Sequence, residues 1–240
     1  MARSFASASS EYLENTVGAP VSGVPLTIAA WVSVTNPFTW TNLIICCIQD
    51  KDTSDQMFAL EIRNESTVFA RALTRQGGTL ARAVATNTLS YGTWYLCVAT
   101  FISSSSRACS VDGANRGTNT TSVTPSGLDS VSIGRYGDSS PGNYFNGKVA
   151  EVAVWDTNLS IAETQVLAAR FSPLFVRPQN LVSYWSLIRD EDQDRVGGYD
   201  MTAYNTPSIA THPPIIYPAP PFIGLGSAVA ATRRIFITHI

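Results

Sequence analysis

Hydrophobic residues along this chain recur mostly with a period of two, the spacing of half-buried strands rather than of a helix. From Val149 to Trp155 the alternation sets Val149, Glu151, Ala153 and Trp155 on one face and Ala150, Val152 and Val154 on the other. It predicts one mixed face and one apolar face. Asn146-Gly147, immediately before, reads as a tight-turn pair. After the strand, Ser160-x-x-Glu163 spells a capping box, Ile161, Val166 and Leu167 make a short apolar stripe, and Pro173 stops the helix. Further strands are predicted at Leu26–Val32, Leu43–Ile48, Met57–Ile62, Val68–Leu73 and Leu80–Ala85, parted by polar or glycine-containing turns such as Gln76-Gly77-Gly78. The pattern is all-β, with one short helix.

Several of these stretches resemble laminin-G-like and pentraxin-like domains. Phe145-Asn146-Gly147-Lys148-Val149-Ala150-Glu151-Val152-Ala153-Val154-Trp155, followed by Leu159-Ser160-x-x-Glu163, is similar to the strand and helix near the end of such domains. Ala150 stands where an acidic residue is usual. Leu26 to Val32, Gly92 to Thr100, Val111-Asp112-Gly113, Ile133-Gly134 and Leu181 to Leu187 resemble further pieces in the same order, and Asp194 to Asp200 resembles the segment that follows them. The likeness runs from about Phe5 to Ala203. It implies a concanavalin A-like jelly-roll sandwich of two antiparallel sheets, with the N-terminal and C-terminal strands side by side and Trp31 in the core.

Two regions are expected: a jelly-roll domain over residues 1–210 and an extended arm over 211–240. Thr211 to Ile223 holds five prolines, which exclude a helix or a central strand. The arm also carries Ile215, Ile216, Tyr217, Phe222, Ile235 and Phe236. So much apolar surface on an extended segment needs a cover, expected to be another subunit or the flank of the same domain.

Charged residues make up only 14% of the chain and the net charge is -2, which argues against a nucleic-acid partner and its concentrated basic stripe. Arg63, Arg71, Arg75 and Arg82 are expected to spread over a solvated face. No secretory signal is visible at the N-terminus, and no apolar run reaches the length needed to span a bilayer. Cys46, Cys47, Cys97 and Cys109 lack zinc-site spacing. Cys46 and Cys47 should point to opposite faces of one strand, as buried free thiols suited to a reducing cytoplasm.

Candidate chemistry is sparse. Both histidines, His212 and His239, lie in the arm, so the domain by itself is not expected to assemble a Ser-His-acid triad or a histidine metal site. Glycosidases of this sandwich class carry a Glu-x-Asp-x-x-Glu strand; here Glu151 and Asp156 are too sparse to match it, and no enzymatic activity is expected. Calcium is a possible cofactor, with oxygen ligands in two acidic loops. One loop holds Asp50, Asp52 and Asp55, and the other holds Asp190, Asp192 and Asp194, with Asp200 beyond it. The resemblance favours Asp194 and Asp200. Sugar binding needs an aromatic face beside fixed polar groups, for which Trp40, Tyr136, Asn143 and Tyr144 are candidates; packing within hairpins or core is the competing account of each. Ser172 to Trp185 and His212 to Pro218 resemble laminin-G-like proteins encoded by tailed bacteriophages. That likeness implies a virion surface protein, either a capsid decoration or a tail or fibre subunit. It would assemble in the host cytoplasm with other virion subunits, as a homo-oligomer, with glycan adhesion as the alternative role.

Overall fold

A computed structural model describes residues 1–36, 41–188 and 192–219. Its strands are β1 (Ala2–Phe5), β2 (Tyr12–Asn15), β3 (Leu26–Val34), β4 (Thr41–Gln49), β5 (Gln56–Asn64), β6 (Val68–Gln76), β7 (Thr79–Thr88), β8 (Tyr95–Ser103), β9 (Ser106–Val111), β10 (Ala114–Asn119), β11 (Ser130–Ile133), β12 (Gly147–Trp155), β13 (Leu181–Trp185), β14 (Thr202–Tyr204) and β15 (Ser208–Ala210). The helix α1 spans Ile161–Ala168. Two antiparallel sheets result. The first runs β10-β9-β8-β3-β12-β1-β15, with β13 also on β12, and the second runs β14-β2-β11-β4-β5-β6-β7. As expected, the first and last of the described strands are neighbours: β1 pairs β15, and β2 pairs β14. At the far side Gly117 lies so close to Val84 that a Cβ would meet its carbonyl oxygen at 1.6 Å, so β10 and β7 close the sandwich there.

Apolar side chains form three layers. The main core lies between the sheets and includes Leu26, Phe58, Phe101, Phe145, Val152 and Trp185. A second cluster, with Trp31, Trp155, Leu167 and Tyr184, covers the outer face of the first sheet beneath α1. Trp31 is therefore buried, but under the helix rather than between the sheets. A third, smaller cluster of Ile44, Cys47, Met57, Ala59, Leu73 and Tyr136 covers the outer face of the second sheet. Cys46 belongs to the main core and Cys47 to this outer cluster, so the adjacent thiols do point oppositely, and all four cysteines are free and buried. Burial pushes the Cys46 and Cys109 thiols up to about 12.

The alternation predicted for β12 fails at one residue. The register shifts between Ala150 and Ala153, and Glu151 takes a left-handed conformation with φ 55°. Such a bulge inserts an extra residue and re-aims its side chain. Val149, Val152 and Val154 consequently face the main core, while Ala150, Ala153 and Trp155 join the outer cluster. Both faces are apolar, and Glu151 stands outside the alternation. The bulge falls where β12 changes partner, from β1 at Gly147–Val149 to β13 at Val152–Trp155. Asn146-Gly147 is not a hairpin turn either. Gly147 opens β12 with φ 142°, at a point where a Cβ would lie 2.3 Å from the Ser33 carbonyl oxygen.

The capping box forms as expected: Ser160 Oγ accepts from the Glu163 amide at 3.3 Å, and Glu163 Oε2 accepts from the Ser160 amide at 2.7 Å. The apolar stripe is narrower than predicted, because only Thr164 and Leu167 of α1 are buried and Val166 faces outward. The arginine face is likewise not simply solvated. Arg71 is 8% exposed and pairs with Glu61 at 2.8 Å, Arg82 pairs with the same carboxylate at 3.0 Å, and Arg75 pairs with Asp55 at 2.7 Å.

Candidate functional site

At one end of the sandwich the β4–β5 loop, residues 50–55, meets the β11–β12 loop, residues 134–146. Asp50 Oδ1 accepts from the amides of Asp52 at 2.9 Å and Thr53 at 3.0 Å, a local turn that this residue type favours. Asp138 then joins the loops, accepting from the Asp55 amide at 2.9 Å and the Ser140 amide at 2.9 Å. Ser54 and Ser139 hydroxyls meet at 2.8 Å. Tyr136 and Gly142 exchange backbone hydrogen bonds at 2.9 and 3.3 Å, closing the second loop into a small hairpin. Between these loops lies a cleft of about 360 Å³, lined by Ser54, Asp55, Arg75, Tyr136, Ser140 and Asn143 among others. It offers a carboxylate, a guanidinium, hydroxyls and an amide within one concavity. That donor and acceptor set suits a polyhydroxylated ligand.

Beside this cleft, ligand oxygens of Asp50, Asp52 and Asp129 lie within 4.8 Å of one another. The acidic loop at 50–55 is thus real, but its third carboxylate is Asp129 rather than Asp55, which turns toward Arg75. The Lys51 ammonium already bridges this group, donating to Asp52 at 2.9 Å and also to Asp129. Calcium takes six to eight oxygens. Three carboxylates already bridged by an ammonium do not fit it as they stand.

The other calcium candidates hold the closing loop together instead. Asp192 pairs with Arg3 at 2.6 Å. Asp194 accepts from Ser183 Oγ at 2.7 Å and from the amides of Tyr184, Val196 and Tyr199 at 2.8, 3.0 and 3.1 Å. Asp200 accepts from the Asp194 amide at 2.8 Å. Asp190 lies outside the described residues, as does Trp40 among the sugar candidates.

Of the other sugar candidates, Tyr136 and Asn143 line the rim cleft together, whereas Tyr144 does not. Tyr136 is 7% exposed, with its hydroxyl donating to Glu61 at 3.2 Å, so it offers an edge rather than an open face. Burial, followed by the Glu61 charge, pushes this phenol well above its ordinary value. Tyr144 leans on Tyr12 at 6.1 Å, and Tyr12 stacks on Tyr204 at 4.6 Å beneath the Arg135 guanidinium. Arg135 in turn pairs with Glu14 at 2.8 Å.

On the outer face of the first sheet the arm, as far as Ala219, folds back over its own domain. Ile216 exchanges hydrogen bonds with Arg170 at 2.8 Å and Ser172 at 2.9 Å, and Ile215 packs on the cluster around Trp31. Phe222, Ile235 and Phe236 lie outside the described residues. Of the arm's two histidines, His239 lies outside the described residues, while His212 comes up against a carboxylate of the domain. His212 Nε2 sits 3.2 Å from Glu151, and Tyr184 and Tyr217 hydroxyls each donate to the same carboxylate at 2.7 Å. Burial first, and the Glu151 charge second, push both phenols well above their ordinary values. The cause is the bulge, which aims Glu151 out of the sheet toward the arm. No triad follows, because the other imidazole nitrogen faces the Pro213 carbonyl at 2.6 Å and no serine hydroxyl reaches either one among the described residues.

Asp138 and Ser140 were missed by sequence reasoning, while Asp55 was singled out only for calcium and Arg75 only as part of a solvated face. The available signal was the polar density of the 50–55 and 135–143 loops; the pairing of the two loops required the fold. Glu151 was noticed as a strand carboxylate, but no residue near it signals a bulge.

Comparison with known proteins agrees with this architecture. A family model described as the Concanavalin A-like lectin/glucanases superfamily matches residues 7–165. No curated protein sequence matches the chain. Among solved structures, a candidate carbohydrate-binding protein from Bacteroides ovatus is similar with a TM-score of 0.61 at 21% identity, over 90% of this chain and 61% of that one. A heptameric SAP-like pentraxin from Limulus polyphemus gives 0.53 at 16% identity, over 66% of this chain and 75% of that one. Tailspike protein 2 of an Escherichia coli O157:H7 bacteriophage gives 0.51 at 18% identity, over 77% of this chain and only 26% of that one. At such identities the likeness is one of fold.

Proposed function

This chain belongs to the Concanavalin A-like lectin/glucanases superfamily, and on that premise we propose that it is a non-catalytic, lectin-like recognition domain that holds a glycan in the rim cleft. The observation that carries this reading is the convergence of Asp55, Ser140 and Asn143, on loops joined by Asp138, with Arg75 at the end of β6. Fixed polar groups of both kinds select sugar hydroxyls by direction, and the Tyr136 edge adds an apolar wall. The Bacteroides relative's description as carbohydrate binding supports the same reading. Against hydrolysis stands Glu151, whose carboxylate is 1% exposed and already accepts from two phenols. A glycan array, run with calcium and with a chelator, tests the proposal. Saturable binding lost in Arg75→Ala and Asn143→Ala is expected, and absence of saturable binding to every glycan would sink it. Loss of binding in chelator alone would return a metal to the Asp50, Asp52 and Asp129 group.

The domain's setting is proposed to be the surface of a tailed-phage particle, as a capsid decoration or a tail or fibre subunit assembled in the host cytoplasm. The observation favouring this is an apolar surface beside the docked arm. Phe175 is 44% exposed and Ile216 49% exposed, with Phe171 in edge contact with Phe175 at 5.6 Å. Contiguous exposed apolar side chains of this kind mark interaction sites. Phe175→Ser with Ile216→Ser should leave the melting temperature nearly unchanged and remove the protein from purified particles. Normal incorporation of this double variant would overturn the reading.

A further inference from the structure

One row of side chains crosses four strands on the outer face of the first sheet. The register places Ser33 of β3 opposite Lys148 of β12, Lys148 opposite Ser4 of β1, and Ser4 opposite Ser208 of β15. Directly opposed residues on one face have Cβ atoms about 5 Å apart, so an ammonium stands in line with hydroxyls on both sides. Lys148, Ser4 and Ser208 line an open groove of about 730 Å³, whose other walls include Ile209, Thr211 and His212.

The chain has two lysines, Lys51 and Lys148, and they are placed in opposite surroundings. Lys51 lies between the carboxylates of Asp52 and Asp129. Lys148 is half-buried, and its ammonium has no hydrogen bond or ion pair with any described residue. Among the described residues no acidic one lines its groove. The Ser4 and Ser208 hydroxyls also engage no described residue, while the ring nitrogens of His212 are occupied by the Pro213 carbonyl and by Glu151. A half-buried cation without a counter-charge, flanked by free hydroxyls, complements a group with several acceptor oxygens and a negative charge.

We propose that this groove is an oxyanion site, binding a sulfate, phosphate or carboxylate group with Lys148 as the charged anchor and Ser4 and Ser208 as hydroxyl donors. It lies on the first sheet, apart from the rim cleft between the loops of the second, and does not depend on what that cleft holds. The oxyanion could arrive free in solution or carried on an acidic saccharide, and the test separates these sources.

Calorimetric titration of the full chain with inorganic sulfate, dextran sulfate and uncharged dextran decides the matter. Saturable binding of sulfate or dextran sulfate is expected, weakened about tenfold or more by Lys148→Gln, as loss of a charge-assisted bond implies, and largely kept by Lys148→Arg. Binding of inorganic sulfate alone would identify a free ion as the ligand. Binding of dextran sulfate without inorganic sulfate, and without uncharged dextran, would identify the saccharide-borne group. Equal binding by Lys148→Gln, or no saturable binding of either charged probe, would overturn the proposal. Thermal unfolding of Lys148→Gln should match the parent, since the ammonium has no hydrogen bond or ion pair with a described residue and Gln keeps most of the stem, so a loss of binding reports the site and not the fold.

Discussion

Each outer face of the sandwich carries a buried glutamate, and the two are neutralised by opposite means. Glu61 on the second sheet is 0% exposed and faces two permanent cations, Arg71 at 2.8 Å and Arg82 at 3.0 Å. Both come from neighbouring strands of the same sheet, so this network forms whenever β5, β6 and β7 form. Glu151 on the first sheet is held by the Tyr184 and Tyr217 hydroxyls and by His212. Two of those three groups, Tyr217 and His212, belong to the arm. One face is therefore closed by the sheet's own cross-strand chemistry, the other by a distant segment that must first dock. A cover built from cross-strand ion pairs is part of the fold; a cover built from an arm is expected to come away while the fold persists.

The largest effect should follow from breaking the built-in network. Glu61→Ala leaves Arg71 buried without its carboxylate, and desolvation already lowers that guanidinium's affinity for its proton. Removing one partner of a buried pair costs about 3–5 kcal/mol. Equilibrium unfolding in urea should show the loss across the whole domain. A cost under about 1 kcal/mol, the value of an exposed pair, would mean that the network is solvated and that the contrast between the faces is false.

An intermediate effect is expected from the arm clasp. Tyr217→Phe deletes one bond to a buried carboxylate while Tyr184 and His212 remain. Such a bond is worth about 1.5 kcal/mol, or roughly a tenfold rise in the undocked arm. Limited proteolysis should therefore cut residues 211–219 faster, while the body's unfolding midpoint in urea moves little. If the midpoint falls as far as in Glu61→Ala, the arm is integral to the fold and the distinction collapses.

How much of this could be read in advance depends on the range of the interaction. Period-two patterning and the capping box at Ser160 and Glu163 are local, and they placed most strands and the helix correctly. The left-handed residue at Glu151 is also local, yet neither Gly nor Asn marks it, so the strand reads as unbroken alternation. Pairing of Glu61 with Arg71 needs cross-strand register, and Asp129 meets Lys51 across a separation of 78 positions. Tyr136 and Tyr144 read alike in the sequence as loop aromatics, but one caps a buried glutamate while the other leans on Tyr12.

The smallest effect belongs to the rim, where charges face solvent. Burial pushes the Asp129 carboxyl up, but the Lys51 hydrogen bonds outweigh it and hold the group below its ordinary value. A carboxyl depressed in the folded state contributes stability that is complete above the ordinary carboxylate range and disappears as pH falls through the folded value. Melting temperatures of the parent and of Lys51→Met should therefore differ at about pH 7 and converge on acidification below the ordinary aspartate value of about 3.9. Carboxyl NMR should place the Asp129 titration lower in the parent than in the variant. A gap that persists in acid, or an Asp129 titration unmoved by the substitution, would mean that Lys51 does not hold the carboxylates. The Asp50, Asp52 and Asp129 group would then be open to a cation after all, and the rim, not only the arm, would be a conditional part of the structure.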